Sequence, residues 1–251
     1  MNIHIDISTK NILDNHIISD TVFGSKLYGC DNSSSDTDMM MIYQPSFEEK
    51  NSIFVSHHQM QYKDISTNTD YIYSNISQFI RNTINGDATI NAEIIFSDSF
   101  KNTSLEFLHN NRHIFVNYRL IKCYLGICRR DLREASKTDN PSKKVAHAYR
   151  GYVFAKQLME DPDNFKNIFD ISFYNIIKNM NYKEISKYSS ELLNDINILR
   201  EYLNKTNILP KTMKPSDMKL LDEFIFEITK YPSWNMDYSN QYYYIENIIE
   251  Y

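Results

Sequence analysis

Phe23 to Tyr43 reads FGSKLYGCDNSSSDTDMMMIY, and it gathers two of the chain's five glycines, four serines and three aspartates just ahead of an apolar run. Asp36 and Asp38 stand two residues apart at the head of that run. On a strand, residues i and i+2 face the same way, so the pair is expected to present two carboxylates side by side. Carboxylates held that close repel, and one is driven toward its neutral form unless a cation lies between them. Magnesium suits such a pair, because it takes oxygen ligands, keeps some of its waters and shares its shell with substrate phosphates. Gly24 and Ser25 supply the other half: where a strand gives way to a turn, backbone N–H groups and the Ser25 hydroxyl can face an anion with no Cβ in the way. Gly29 then lets the chain reverse. Taken singly, a Gly-Ser turn is ordinary hairpin punctuation and an Asp-x-Asp is an ordinary solvated loop. Their order along one short segment is what points to phosphate chemistry.

These residues need a sheet to hold them. Short branched or aromatic runs bounded by turn formers predict strands at Thr21–Phe23, Asp36–Tyr43 and around Gln59–Ile72. A helix is expected next, with Ile76, Phe79, Ile80 and Ile84 on one face, Ser74 or Asn75 as its cap and Gly86 beyond its end. Near Ser97–Thr103 the pattern turns helical. Apolar stripes Tyr118-Ile121-Leu125-Cys128-Leu132, Val145-Ala148-Tyr149-Tyr152 and Ile185-Leu192-Ile196-Leu199-Leu203 predict a helical bundle over Phe107–Lys205. A two-proline linker, a helix from about Asp217 to Lys230 and a tyrosine-rich tail close the chain. The expected architecture is α+β, divided into a domain over residues 1–103 and a helical domain over 104–251.

After the break at Pro141, Lys143, His147 and Arg150 fall at i, i+4 and i+7, opposite the Val145, Ala148 and Tyr152 side. Such a stripe is either a solvated face or a clamp on phosphates. Arg129–Arg150 holds seven Lys or Arg against three acids, inside a chain whose net charge is −5. That total argues against a protein coated for indiscriminate nucleic-acid binding and leaves room for a local basic patch. Cys30, Cys123 and Cys128 are odd in number and widely spaced, which reads as reduced thiols. The N-terminus has acid and amide where a signal peptide needs an apolar core, so the expected compartment is the cytosol. Richness in Asn, Ile, Lys and Tyr suggests a gene of high A+T content, a phage gene among the candidates; the cytosol would then be the host's. His57 and His58 read as surface residues of a hairpin.

The segment GSKLYG(x)6DTD, with Ser35 before the first aspartate, resembles the G-S-x-x-x-G…S-D-x-D signature of the polymerase β-like nucleotidyltransferase superfamily. Its stand-alone phage and bacterial members are the most similar. Asp70–Ser97 resembles their acid-led strand, amphipathic helix and Glu-Leu-Leu-Phe-like ending, and YLGICRRDL, KKVAHAYRGY and IIKNMNYKEI resemble three segments of their helical region. The likeness covers about Thr21 to Leu203. Ser34 stands where a Pro is common, Asp87-Ala88 near a common Asn-Pro, and the tyrosine-rich end has no counterpart.

The resemblance implies a small mixed β-sheet catalytic core followed by a helical bundle. It also implies a reaction: an acceptor hydroxyl attacks the α-phosphorus of an NTP, and pyrophosphate leaves. Two magnesium ions are expected at Asp36, Asp38 and a third acid. Asp70 is the candidate, from its distance to Phe79, with Asp64 and Glu93 as alternatives. Gly24 and Ser25 would cradle the triphosphate, Lys143, Lys144, His147 and Arg150 would clamp triphosphate or acceptor phosphates, and Tyr28 is either a ring that stacks on the nucleobase or part of the core. The expected acceptor is an RNA 3′ end, with a protein hydroxyl second. No membrane partner is expected. A catalytically silent relative that uses the fold to bind a partner is the competing reading.

Overall fold

The computed structural model describes residues 3–31, 35–51, 59–161 and 171–230. Ser34, His57, His58 and the tyrosine-rich tail fall outside them. The first part of the chain runs β1 (Ile3–His4), α1 (Ile7–Asp14), β2 (Ile17–Phe23), β3 (Thr37–Tyr43), α2 (Phe47–Asn51), β4 (Met60–Asp64) and β5 (Thr69–Asn75). Helices follow: α3 (Ile76–Asn85), α4 (Thr89–Phe96), α5 (Glu106–Asn110), α6 (Tyr118–Ala135), α7 (Pro141–Glu160), α8 (Ile171–Lys178), α9 (Tyr182–Thr206) and α10 (Pro215–Thr229). This is an α+β fold.

The strands make one mixed sheet in the order β1-β4-β5-β3-β2. At its centre β3 runs parallel to β5, with β2 antiparallel on one side and β4 antiparallel on the other. Because side chains alternate across a sheet, Met40, Ile42 and Ile72 turn to the large core shared with the helices. Met41, Tyr43, Tyr71 and Tyr73 turn to a smaller cluster around Leu13 of α1. The large core runs from Phe23 on β2 to Leu221 on α10, crossing the point where the secondary structure changes type.

The expected single strand over Gln59–Ile72 is instead a hairpin, β4 and β5, in register from Met60 opposite Tyr73 to Asp64 opposite Thr69. Its turn is made by Asp64, whose Oδ1 accepts from the Ser66 N–H at 2.9 Å and the Ser66 hydroxyl at 2.6 Å, and by Asn68 at φ 50. Short polar side chains that bond their own backbone compete with a strand, and here they end one. The helix after β5 starts and stops where expected. Asn75 caps α3 by accepting from the Gln78 N–H, and Gly86 ends it at φ 73. A Cβ on Gly86 would stand 2.8 Å from the Arg119 carbonyl, so this glycine also lets the end of α3 rest on α6. Similarly, Gly151 brings α7 onto α6, where a Cβ would meet Cys128 Sγ at 2.8 Å. Among the described residues, no helix is long and apolar enough to cross a membrane.

Candidate active site

Asp38 opens the β3 row that continues with Met40 and Ile42, and Asp70 opens the β5 row that continues with Ile72. The two aspartates are register partners across the parallel pair, so their carboxylates stand side by side on the face that carries the large core. Asp36, in the turn just before β3, adds a third. One carboxylate oxygen from each of Asp36, Asp38 and Asp70 lies within 4.8 Å of the others. Burial, and then the charges of Asp36 and Asp70, hold the Asp38 carboxyl above the usual carboxylate range; Lys63 and Lys143 pull the other way. Lys63 Nζ sits 3.1 Å from Asp70 Oδ2, but both groups are well exposed, so that bridge offsets little of the repulsion. An all-oxygen set of crowded carboxylates fits a hard divalent cation.

The structure does not bring Asp64 or Glu93 to this cluster. Asp64 holds its own turn at the end of β4, because the hairpin sets it opposite Thr69 and not beside Asp70. Glu93, on α4, is buried and paired as described below.

Gly24 follows directly on Phe23, the β2 partner of Asp38. It has φ +67, and a Cβ built on it would stand 2.5 Å from Asp38 Oδ2. Absence of a side chain is what lets the turn touch the acid. Ser25 then begins a short 3₁₀ turn, Lys26–Tyr28, closed by Gly29 at φ 64 and by the Cys30 N–H donating to the Ser25 carbonyl at 2.9 Å. Lys26 Nζ donates to the Thr37 hydroxyl, tying this turn to the head of β3. Gly24→Ala is expected to reduce activity by on the order of 10²-fold, because a displaced Asp38 loses its geometry. Gly29→Ala carries a similar backbone strain, but its Cβ would meet only Ile171 Cδ1 at 3.9 Å. It should therefore cost stability and leave turnover per folded molecule unchanged. Thermal melts and kcat on both variants check this.

Tyr28 is not available to a nucleobase. It is 5 % exposed, its hydroxyl donates to Glu93 Oε2 at 2.6 Å, the Arg150 guanidinium lies 4.8 Å from its ring centroid, and the Phe154 ring stands 5.3 Å away. Arg150 in turn faces Glu93 at 3.7 Å. Three elements thus meet in one buried group: the glycine turn, α4 and α7. Burial works against the charge on Arg150, and Glu93, with smaller help from Tyr28, Tyr174 and Tyr124, more than restores it. Arg150 Nε is buried without a hydrogen-bond partner among the described residues. Lys144 points elsewhere, pairing with Glu134 of α6 at 2.8 Å. Lys143 is exposed and lies within electrostatic reach of both Asp38 and His147.

The family model described as RlaP, RNA repair pathway DNA polymerase beta family, matches residues 5–225. The chain belongs to that family. A crystal structure of a nucleotidyltransferase-like protein from Exiguobacterium sibiricum is also similar, at 10 % identity over 92 % of this chain and 80 % of that one. Its TM-score of 0.30 is too loose a superposition to equate residues. No curated protein matches.

In this polymerase beta family member, sequence reasoning overlooked Lys26 and Lys178. Lys178, at the end of α8, acts on the charge states of both Cys30 and His147. The resemblance noted for IIKNMNYKEI includes it, but nothing in its spacing links it to α7. Burial first, then the like charges of Arg150, Lys143, Lys144 and Lys178, push the His147 imidazole down to about 4. It is therefore neutral at neutral pH and offers a hydrogen bond without adding charge. A folded-state value below the ordinary 6.5 means that the unfolded chain binds the extra proton first. Stability from this group is complete above about 6.5 and is lost as pH falls toward 4. The loss is expected to be on the order of 2–3 kcal/mol. Urea denaturation from pH 4 to 7.5 should show that His147→Gln has a correspondingly flatter acid limb.

Proposed function

We propose that the chain is a magnesium-dependent nucleotidyltransferase that moves NMP from an NTP to the 3′ hydroxyl of an RNA, with release of pyrophosphate. One observation carries this reading: carboxylates from Asp36, Asp38 and Asp70 converge on one point beside a glycine that leaves space only for Asp38. Nucleotidyl transfer asks for positioning and charge neutralisation, and no nucleophilic side chain is needed. Asp36, Asp38 and Asp70 would hold the metal. When bound, magnesium supplies neutralisation of the attacking and leaving oxygens, in a two-ion arrangement of the kind such displacements use.

The remaining residues bind and orient. Gly24 and Ser25 bring the triphosphate against Asp38. Lys143, Lys178 and neutral His147 form its polar wall, and Arg150 keeps a buried donor, Nε, not used by the protein itself. The Tyr28–Glu93–Arg150 group fixes the glycine turn against α7, so the wall and the acids keep one spacing. RNA as acceptor follows the family description.

The test uses the full chain, magnesium, RNA and each NTP labelled in turn at the α or the γ phosphorus. Label is expected on RNA from the α position only. Transfer from the γ position, or none from any NTP and RNA tried, would overturn the reading. ATP binding without turnover would favour the silent, partner-binding alternative.

A further inference from the structure

α6 carries a solvent-facing stripe that its own packing does not explain. Arg119, Lys122, Gly126, Arg130 and Arg133 follow one another at steps of three, four, four and three, share one helix face, and are all exposed. At 1.5 Å per residue the stripe is about 21 Å long. At the first-turn end it opens on a cleft of about 620 Å³, where Lys211 joins Arg119 and Lys122 and Asp87 is the one lining acid. At the other end Glu134 pairs with Lys144, next to the Lys143 that acts on Asp38. The stripe therefore runs from the cleft to the first turn of α7, which carries Lys143.

Two features set it apart from an ordinary solvated face. Lys156, Lys187, Lys205 and Lys219 each pair with a glutamate four residues away. Arg119, Lys122 and Lys211 have no such partner among the described residues, while Arg130 reaches Asp131 at 3.2 Å and Glu134 at 3.9 Å. The second feature is Gly126. A glycine inside a helix costs about 1 kcal/mol relative to alanine. Gly86 and Gly151 have close neighbours that exclude a Cβ, but a Cβ on Gly126 would meet nothing within 4 Å. Nothing in the fold requires this glycine, and it lies midway along a row of cations.

We propose that this face of α6 is the track for the acceptor RNA strand, with phosphates on Arg119, Lys122, Arg130 and Arg133 and the sugar–phosphate backbone close against Gly126. Three of the four cations are arginines, whose planar fork matches phosphate oxygens. The apolar side chains beside the stripe, Tyr118, Cys123 and Ile127, are each partly buried, with Lys122 Nζ lying 5.6 Å from the Tyr118 ring centroid. The inference rests on the reading of the chain as an RNA nucleotidyltransferase. It assigns where the strand lies.

Binding of a labelled single-stranded RNA of about twelve nucleotides to the full chain, by fluorescence anisotropy without NTP or magnesium, tests this. The double variant Lys122→Gln/Arg133→Gln is expected to bind about 10-fold more weakly at low salt, with a salt dependence shallower by about 1.4 in log–log slope. Gly126→Gln is expected to raise the melting temperature and yet weaken RNA binding several-fold, which separates occlusion from misfolding. Wild-type affinity in Gly126→Gln, or equal competition by a polyglutamate peptide, would overturn the track. Because no turnover is involved, loss of label transfer with these binding effects intact would count against the proposed reaction and not against the track.

Discussion

Asp38→Asn is expected to lower nucleotidyl transfer by about 10³-fold or more and, in the same protein, to raise the melting temperature in the absence of metal. The two effects share one cause. Asp38 is half-buried, register-paired with Asp70 and close to Asp36, and its carboxyl is held above the usual range by burial and by those two charges. Such a group destabilises the fold when ionised, so the neutral amide of the same shape relieves repulsion. It also removes the carboxylate that lies between the glycine turn and β5. Asp70→Asn should lose activity as well, with a smaller stability gain, because it gives up the Lys63 partner. Label transfer and thermal melts in chelator, run on the same preparations, check both halves. A variant that lost activity and melted lower would point to a structural role for Asp38.

Glu93→Ala is the second large effect. Glu93 accepts the Tyr28 hydroxyl and faces Arg150, with Glu93 and Tyr28 buried and Arg150 mostly so. Removing one partner of a buried pair leaves the other charge uncompensated, which costs about 3–5 kcal/mol. Arg150→Met alone should cost a similar amount by stranding the carboxylate. The double variant Glu93→Leu/Arg150→Met should recover most of the loss, since an apolar replacement of a buried pair is often neutral. Urea titration of all three provides the cycle. Additive losses would show that the two charges do not depend on each other.

The local parts of the site are legible in the sequence. Asp36 and Asp38 announce themselves by spacing, and Gly24 and Gly29 by their placement in a chain poor in glycine. The cap and stop of α3, Asn75 and Gly86, are short-range signals too. What the sequence leaves open depends on contacts between distant segments. Asp70 becomes a partner of Asp38 only through the parallel register of β3 and β5, and no local pattern encodes a parallel pairing. The turn at Asp64 could have been found from its run of Ser, Thr and Asn, which interrupts the expected strand. Tyr28 reads as a candidate base-stacking ring because nothing nearby shows that Glu93 and Arg150 close over it. Lys144 and Lys143 are neighbours of equal charge, and only the packing of α7 on α6 sends one to Glu134 and leaves the other facing the acids. α4 escapes a search for amphipathic helices because Asn91 to Phe96 are all buried, which leaves no polar face to mark.

The most direct measurement is the melting temperature of wild type and Asp38→Asn with a non-hydrolysable NTP, each with and without magnesium. A ligand near 100 times its dissociation constant stabilises the native state by about 2.7 kcal/mol. The expected result is a rise of about 5 °C or more in wild type that requires magnesium and nucleotide together, and little or none in Asp38→Asn. An equal magnesium-dependent rise in both proteins would contradict a cation held between Asp36, Asp38 and Asp70.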